Sequence, residues 1–327
     1  MKKIKKIAVL TSGGDAPGMN AAIRSVVRTC AHYRIDCIGV YRGYQGLIEG
    51  DFTSLSARSV SSIINKGGTI LKSARCDAFR TKAGRKKAYE QLKAADIDGF
   101  ILIGGDGSFT GGLKFNEEFD FPVIGIPGTI DNDIFGTDYT IGYDTALNTV
   151  VDVIDKIRDT ASSHNRLFFV EVMGRDAGFI ALNAGIGAGA EEILIPEEDL
   201  GLGRLTESLK RSKRSGKSSS IVVVAEGDKM GKNVFELRDY IEENMPEYEV
   251  RVSVLGHMQR GGSPSCFDRV LACRLGVKAV ELILDGKSNL MVGIVNTKIE
   301  SCPIKEALSG HHDINKELIR VSDIMSI

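Results

Sequence analysis

Short apolar runs alternate with glycine-rich polar turns along most of the chain. The runs rich in β-branched residues span 7–10, 37–40, 100–103, 123–126, 167–172, 193–195, 221–225 and 252–255. Such runs are typical of strands that a parallel sheet buries on both faces. Helical periods lie between several of them, and this repeated alternation predicts a mostly parallel α/β architecture.

A glycine turn and a helix follow the first predicted strand. Residues 11–18 read TSGGDAPG, and residues 19–30 carry apolar side chains at spacings of three and four. The pattern predicts a helix with Asp15 as its N-cap and Pro17 in its first turn. A glycine turn between a strand and the start of a helix can present backbone N–H groups to a phosphate. The same pattern is also typical of a βα turn that binds no ligand.

Two further helical periods matter for the organisation of the chain. Residues 60–64 predict a short helix that ends at the glycines 67–68, and residues 147–157 show the clearest helical period of the sequence. With 327 residues, the chain is long enough to form two domains of ordinary size.

Three aspartates follow two of the predicted buried strands. Residues 104–108 (GGDGS) contain Asp106, and residues 127–133 (PGTIDND) contain Asp131 and Asp133. The carboxyl ends of parallel strands are where open α/β sheets bind ligands. In an extended segment, residues two apart point the same way, so Asp131 and Asp133 are expected to face one cleft. Mg²⁺ takes one or two carboxylates plus phosphate oxygens, and the sequence therefore predicts a magnesium-nucleotide phosphotransferase.

Composition narrows the class of partner. The 42 basic and 43 acidic residues give a formal charge of -1, which provides no reason to expect nucleic acid or a membrane surface as a partner. Six cysteines without a CxxC pair are typical of reduced thiols in a cytoplasm. The lysine-rich start runs directly into a glycine turn, and no run approaches 18 apolar residues, so neither a signal peptide nor a membrane span is expected.

Two stretches imitate other motifs, and a third indicates a ligand site. Residues 185–190 (GIGAGA) lack the preceding strand that a dinucleotide fingerprint requires. The basic stretch 210–217 has no interleaved aromatics and indicates the C-terminus of a cationic helix, although a local anion site remains possible there. The polar, glycine-rich stretch 255–263 contains His257 and follows a predicted strand, which favours a ligand site over a core histidine.

Five segments together resemble the ATP-dependent bacterial 6-phosphofructokinases. These segments, in order and at compatible spacing, are residues 11–20, 104–108, 127–133, 171–175 and 255–263. The resemblance implies two three-layer α/β/α domains with mostly parallel sheets. It assigns ATP to a larger domain of residues 1–141 plus 258–308, and fructose 6-phosphate to a smaller domain of residues 142–257 plus 309–327. It further implies a cytoplasmic homotetramer that transfers the ATP γ-phosphoryl group to the 1-hydroxyl of fructose 6-phosphate.

The resemblance also implies roles at the reacting centre. Asp131 would be the general base that takes the proton of the sugar hydroxyl. Thr129 and Arg175 would support the transferring phosphoryl group, to which planar guanidinium donors are suited. Asp106 would hold Mg²⁺, with Asp133 nearby.

The remaining substrate contacts are carried over by motif. The nucleotide site would comprise Gly14, Arg75, Cys76, Gly105, Asp106, Gly107 and Ser108. The sugar-phosphate site would comprise Thr129, Ile130, Asp131, Met173, Gly174, Arg175, Glu226, His257, Met258, Gln259 and Arg260. Arg166 and Arg251 would reach the 6-phosphate from the adjacent subunit.

A regulatory site is expected on the same basis. From spacing alone, Arg24 and Arg28 indicate a solvated helix face. The resemblance instead implies an effector site for ADP or phosphoenolpyruvate. Its residues here are Arg24, Arg28, Arg58, Arg158, Gly189, Glu191 and Lys217. The loop at 215–219 carries serines where some relatives have basic residues, so regulation is expected to be retained but altered.

Two positions bear on the phosphoryl donor. Related pyrophosphate-dependent enzymes usually carry Asp at the position of Gly107 and Lys at the position of Gly128. Both glycines therefore favour ATP, because a side chain at 107 would fill space that a nucleotide needs.

Three alternatives stay open. They are a pyrophosphate donor, a nucleotide kinase of the NAD kinase type, and a catalytically silent sensor. The second leaves residues 171–175 and 255–263 unexplained, and the three aspartates argue against the third.

Overall fold

The computed structural model describes residues 4–162, 166–198, 201–214, 220–229 and 233–325. Within them the chain forms two compact units. Unit 1 comprises Met1–Ile130, Ile134–Thr145 and Arg260–His312, and unit 2 comprises Asp131–Asp133, Ala146–Gln259 and Asp313–Ile327. The chain passes from one unit to the other a few residues beyond the predicted domain boundaries, which were after residues 141, 257 and 308. The tripeptide Asp131–Asp133 groups with unit 2 rather than with the segment that precedes it.

The regular elements of the described residues are as follows. The strands are β1 (Lys6–Thr11), β2 (Asp36–Val40), β3 (Phe52–Leu55), β4 (Gly99–Gly104), β5 (Val123–Pro127), β6 (Arg166–Val172), β7 (Glu192–Leu194), β8 (Ser220–Ala225), β9 (Glu249–Val254), β10 (Leu290–Val295) and β11 (Lys298–Pro303). The α-helices are α1 (Met19–His32), α2 (Tyr44–Glu49), α3 (Lys82–Ala94), α4 (Asp106–Phe119), α5 (Tyr143–Ser162), α6 (Phe179–Gly187), α7 (Gly201–Arg214), α8 (Val234–Asn244), α9 (Cys266–Leu284), α10 (Ile304–Ser309) and α11 (Lys316–Met325). Short 3₁₀ helices span Asp77–Arg80 and Gly256–Arg260.

Unit 1 is built on a seven-stranded sheet in the order β11-β10-β5-β4-β1-β2-β3. Its pairs are parallel except at the two edges, where β3 and β11 run antiparallel to their neighbours. Leu10 and Leu102 pack on one face with residues of α2, α3 and α4. The residues that alternate with them along the strands, such as Val9 and Ile101, are equally buried. The helices α1 and α9 pack against the sheet. Both faces are covered, which is why the strands read as continuous apolar runs.

Unit 2 has a four-stranded, fully parallel sheet in the order β7-β8-β6-β9. Leu167 and Val222 contribute to a core that α7 and α8 complete through Leu205 and Leu237. The helix α6 contacts β7 and β8. The mostly parallel sheet of unit 1 and the parallel sheet of unit 2, with helices packed on them, confirm the predicted fold class. The carboxyl ends of the strands carry the loops described below.

The predicted helix ends and one predicted helix differ from the structure. Residues 57–65 form consecutive turns, although Val60 and Ile63 are buried as the apolar pattern indicated. The helix α1 begins at Met19 behind Gly18, whose φ of 103° lies in the left-handed region, and no side chain caps it, so Asp15 is not its N-cap. The rejected fingerprint at 185–190 begins within the last turn of α6 and precedes β7. Each helix in the described ranges is too short or too polar to cross a bilayer.

Candidate active site

The first glycine turn of unit 1 is shaped for close approach. A Cβ on Gly14 would lie 2.8 Å from Nη1 of Arg260, and this guanidinium donates to the carbonyl of Asp15 at 3.4 Å. Ser12 N donates to Ile103 O at 3.0 Å, which joins the turn to the end of β4. The structure thus brings Gly14 and Arg260, both predicted site residues, into contact.

The second glycine turn follows β4 and starts α4. A Cβ on Gly104 would lie 2.5 Å from Ser12 O and 2.6 Å from Ser108 Oγ, so only glycine fits between the two turns. The helix begins at Asp106 with Gly105 as its N-cap. A helix start without a capping side chain presents backbone N–H groups and the positive end of the helix dipole, and this favours an anion.

The nucleotide residues predicted around this turn differ in exposure. Asp106 is half-buried, Ser108 is buried and Gly107 is exposed, with nothing within 4 Å of a Cβ built on it. Arg75 is exposed, and Cys76 is half-buried and donates to Oε1 of Gln45 at 3.1 Å.

The turn after β5 is fixed by backbone and hydroxyl contacts within unit 1. Gly128 N donates to Gly104 O at 2.9 Å, and Thr140 Oγ1 donates to the carbonyl of Thr129 at 2.7 Å. A Cβ on Gly128 would lie 3.0 Å from Cγ2 of Ile103, so this position is tightly packed. Thr129 and Ile130 are buried behind it.

Asp131 is the buried acid of the predicted site. Its side chain is 0% exposed, and its Oδ2 lies 3.1 Å from Nε of Arg175, whose own side chain is 53% exposed. The expected extended backbone is wrong at Asn132, whose φ of 54° lies in the left-handed region, where asparagine is tolerated better than most residues. The simple alternation that aligned Asp131 with Asp133 therefore does not apply, and Asp133 is half-buried.

The loop after β6 carries the next predicted residues and is held from two sides. Met173 N donates to Oε1 of Gln259 at 3.2 Å. Gly174 N and Arg175 N donate to Oε1 of Glu226, at 3.2 and 2.8 Å. Gln259 is fully buried, so it holds the loop from inside the unit.

The turn at Gly256–Arg260 exposes two other predicted residues. His257 and Met258 are exposed, while Gln259 Nε2 donates to the carbonyl of Gly256 at 3.1 Å. The site therefore divides into side chains that face solvent and side chains that support the loops.

Arg166 and Arg251 lie together at the β6–β9 pair. Arg166 Nε is 3.2 Å from Oε2 of Glu249, and Arg251 contacts the same carboxylate. The hydrogen bond from Arg166, with the charges of both arginines, lowers the pKa of Glu249. These two guanidiniums, predicted to act together, are thus neighbours in unit 2.

The predicted effector residues fall in both units. In unit 1, Arg24 and Arg28 line a cleft of about 380 Å³ between α1 and α9. Arg58 is an exposed residue of the same unit.

In unit 2, Arg158 Nη2 donates to the carbonyls of Ala188 and Gly189 at 2.8 and 2.6 Å, and its Nη1 lies 3.5 Å from Glu191. Glu191 in turn accepts from Ile221 N at 2.6 Å. Lys217 lies outside the described residues.

Asp268 is a buried acid that the sequence reading missed. It accepts from Gly142 N at 2.9 Å and from the N and Oγ1 of Thr145, at 2.8 and 2.5 Å. Burial raises the pKa of Asp268 to about 6. The signal was present: Ser265 caps α9 by accepting from Asp268 N at 3.2 Å, and a Ser-x-x-Asp pattern before an apolar run is a helix-start signature.

Comparison with known proteins decides the family. The model of the phosphofructokinase family matches residues 6–283. The chain belongs to the phosphofructokinase family. The α/β fold of both units is therefore that of a phosphofructokinase, as the sequence motifs predicted.

Relatives cover this phosphofructokinase over its full length. The "ATP-dependent 6-phosphofructokinase 2" of Bacteroides thetaiotaomicron is 51% identical over 327 residues and is covered completely, as is this chain. The "ATP-dependent 6-phosphofructokinase" of Halothermothrix orenii is 53% identical, over 99% of this chain and 100% of its own. The structure of phosphofructokinase from Saccharomyces cerevisiae superposes with a TM-score of 0.89 at 36% identity; the match covers 98% of this chain and 46% of the yeast chain.

Proposed function

We propose that this phosphofructokinase transfers the γ-phosphoryl group of ATP to the 1-hydroxyl of fructose 6-phosphate, giving fructose 1,6-bisphosphate and ADP. Relatives that carry the name ATP-dependent 6-phosphofructokinase match the chain from end to end at about half identity, which supports the reaction and its place in glycolysis. The observation that carries the mechanism is the buried Asp131 carboxylate 3.1 Å from the Arg175 guanidinium. This pair combines a proton acceptor with a phosphoryl-binding cation.

On the acceptor side, Asp131 takes the proton from the sugar hydroxyl as attack on phosphorus proceeds. A hydroxyl is a weak nucleophile without such a base, and a positioned base typically contributes 10²–10⁴-fold. Arg175 and Thr129 stabilise the charge on the transferring group, since phosphoryl transfer depends on positioning and charge neutralisation.

The other sugar-phosphate contacts follow the predicted set. Exposed His257 and Met258 and the loop at 173–175 surround the sugar, with Arg260 and Glu226. The neighbouring Arg166 and Arg251 bind the 6-phosphate of the fructose 6-phosphate held in the site of an adjacent subunit.

On the donor side, unit 1 binds ATP. Backbone N–H groups of the Gly14 turn and of the start of α4 bind phosphate oxygens, and Arg75, Cys76 and residues 105–108 line the nucleotide site. The open space around Gly107 leaves room for a nucleotide, whereas a lysine at Gly128 would have to displace the side chains of Ile103 and Met19, which lie 3.0 and 3.3 Å from a Cβ built there. These two positions support ATP over pyrophosphate as the donor.

The acids of the turns fit a magnesium ion. The described residues contain no group of three or more His, Cys, Asp or Glu side chains that would hold a metal alone. Mg²⁺ takes one or two carboxylates and fills its remaining positions with water and substrate phosphates. Half-buried Asp106 and Asp133 would hold it, and it would neutralise charge on the phosphates.

Regulation and assembly complete the proposal. The cleft lined by Arg24 and Arg28 supports binding of an anionic effector, ADP or phosphoenolpyruvate. The proposed effector site lies between subunits, and its further members are Arg58, Arg158, Gly189, Glu191 and Lys217. The enzyme acts in the cytoplasm as a homotetramer. The rate at subsaturating fructose 6-phosphate is expected to respond to both effectors, and a flat response would contradict regulation.

A coupled assay tests the reaction. Purified protein is given fructose 6-phosphate, Mg²⁺ and either ATP or pyrophosphate, and fructose 1,6-bisphosphate is measured. Formation of the product with ATP alone is expected. Product formation with pyrophosphate instead, or phosphorylation of NAD⁺ but not of the sugar, would overturn the proposal.

A further inference from the structure

The turn that carries Arg175 has a strained backbone at Arg175 itself, the residue whose side chain is proposed to bind the transferring phosphoryl group. Ala177 N donates to Gly174 O at 3.1 Å and closes a tight turn. Within it, Arg175 has a φ of 54°, in the left-handed region. Residues other than glycine and asparagine rarely adopt this conformation, and they persist there only where the surroundings impose it.

One acid satisfies the strained backbone. Glu226 Oε1 accepts from the two successive N–H groups of Gly174 and Arg175, at 3.2 and 2.8 Å. Glu226 N itself donates to Val172 O at 2.9 Å, and Val172 pairs with Ala225 in the parallel β6–β8 ladder. The turn is therefore registered against the end of β8 by charge-assisted hydrogen bonds.

Gly227 packs directly against the backbone of the same turn. A Cβ built on it would lie 1.9 Å from Arg175 O, 2.9 Å from Arg175 C and 3.0 Å from the Cα of Asp176. All three are backbone atoms, which cannot rotate away as a side chain would. Any side chain at position 227 must therefore displace the turn.

The backbone of this turn determines the position of the Arg175 guanidinium. Its side chain is 53% exposed, yet its Nε reaches the fully buried Asp131 at 3.1 Å. A half-exposed arginine has little packing to fix its direction, so the position of its Cα decides where the guanidinium lies.

We propose that Gly227 is a positioning residue for phosphoryl transfer: its bare backbone and the Glu226 carboxylate hold a strained turn that aims Arg175 at Asp131. The inference rests on the proposed function, since it assigns the device to the acceptor side of that reaction. A substrate contact by Gly227 is not required.

Gly227→Ala tests the proposal in the full-length enzyme, with Gly203→Ala as the matched control. Gly203 lies in α7, and a Cβ there meets nothing within 4 Å. A displacement of about 1 Å in a reacting group can cost 10²-fold, so G227A is expected to lower kcat by about that factor while the KM for ATP stays unchanged. G203A is expected to keep the wild-type kcat. A wild-type kcat in G227A would overturn the proposal.

A double-mutant cycle separates positioning from general damage. In an Arg175→Ala background, G227A is expected to lower kcat no further, because the group it positions is already absent. The same fold loss in both backgrounds would show that Gly227 acts on something else, and the inference fails. If wild-type enzyme forms no fructose 1,6-bisphosphate, the proposed function fails instead.

Strain has its own readout. Arg175→Gly is expected to unfold at a higher temperature than Arg175→Ala, the reverse of the order expected at an ordinary loop position. If G227A alone does not fold, R175G combined with G227A is expected to regain the folded state, because glycine at 175 lets the turn yield. An equal or lower unfolding temperature for R175G, or no recovery, would contradict the strained turn.

Discussion

Asp131 is the residue at which binding and turnover are expected to separate most clearly. Asp131→Asn keeps the size of the side chain and removes the proton acceptor, so kcat is expected to fall about 10²–10⁴-fold with a smaller change in KM. Steady-state kinetics with both substrates measures this. The control is Asp120→Asn, at the left-handed residue after α4, where asparagine is well tolerated. Near-wild-type turnover in D131N would disprove the base assignment.

Gly107 is the residue expected to control the choice of donor. Gly107→Asp places a carboxylate in open space at the start of α4, where it faces a polyphosphate of like charge. The KM for ATP is expected to rise about tenfold or more, corresponding to about 1.4 kcal/mol. Gly107→Ala, the uncharged control, is expected to raise it less, because it adds a single methyl group and no charge.

The thermal midpoint of G107D serves as its stability check. An acid in a first helical turn interacts favourably with the helix dipole, so the midpoint is expected not to fall. An unchanged KM for ATP in a folded G107D enzyme would contradict the donor argument.

At the scale of single residues, the sequence indicated which side chains lie together at Asp131, but not the contacts that hold the neighbouring loop. Asp131 and Arg175 were identified together, and they form an ion pair. The sequence motifs predict Gln259 and Glu226 only as substrate contacts, whereas in the structure they hold the loop of Met173 and Arg175. Hydrogen bonds between residues 51 or 86 positions apart leave no local pattern in a sequence.

At the scale of elements, α9 begins with an acid that ties it to the start of α5. Because burial raises the pKa of Asp268 from 3.8 to about 6, its contribution to folding is fully present below pH 3.8 and is lost as the pH rises through 6. The free energy of unfolding gained from this group is therefore expected to fall by about 1 kcal/mol between pH 5 and pH 7.5.

Urea unfolding at the two pH values measures this contribution. Asp268→Asn lacks the titration, so the stability difference between wild type and D268N is expected to shrink by that amount as the pH rises. Asp285→Asn, at the exposed C-cap of the same helix, is the matched control and is measured at the same two pH values. A difference for D268N that grows with pH would contradict the assignment.

Strands and helices were predictable to different degrees. Buried parallel strands such as β4 and β5 are continuous apolar runs, and these were found within a residue or two of their ends. The helix predicted at 60–64 is wrong because Val60 and Ile63 are buried within consecutive turns, and apolar spacing alone does not distinguish such turns from a helix. The extended backbone predicted for residues 131–133 is wrong because Asn132 is left-handed, and a single left-handed residue interrupts the side-chain alternation of an extended segment.

At the scale of the whole molecule, the proposed tetramer predicts complementation between subunits. If Arg251 serves the site of a neighbour, then D131N and Arg251→Ala subunits damage different halves of a shared site. Refolding the two inactive proteins together is expected to restore activity, because some mixed sites contain both wild-type groups. Each variant refolded alone is the control.

Light scattering establishes the mass of the assembly in the same samples. Mixed tetramers without restored activity would place Arg251 in the site of its own subunit. A monomer in the wild-type protein would contradict the assembly itself.

The winding of the chain through the two units sets an order for folding on the ribosome. Unit 1 starts at the N-terminus, but β10, which pairs with β5, and α9, which packs on α1, belong to the returning segment Arg260–His312. Until that segment has been synthesised, β5 is an open strand edge with an apolar face, and such edges invite pairing with other chains. The sheet of unit 2 is complete once β9 has emerged. The nascent enzyme therefore finishes its later-encoded sheet first and depends on protection of the earlier one.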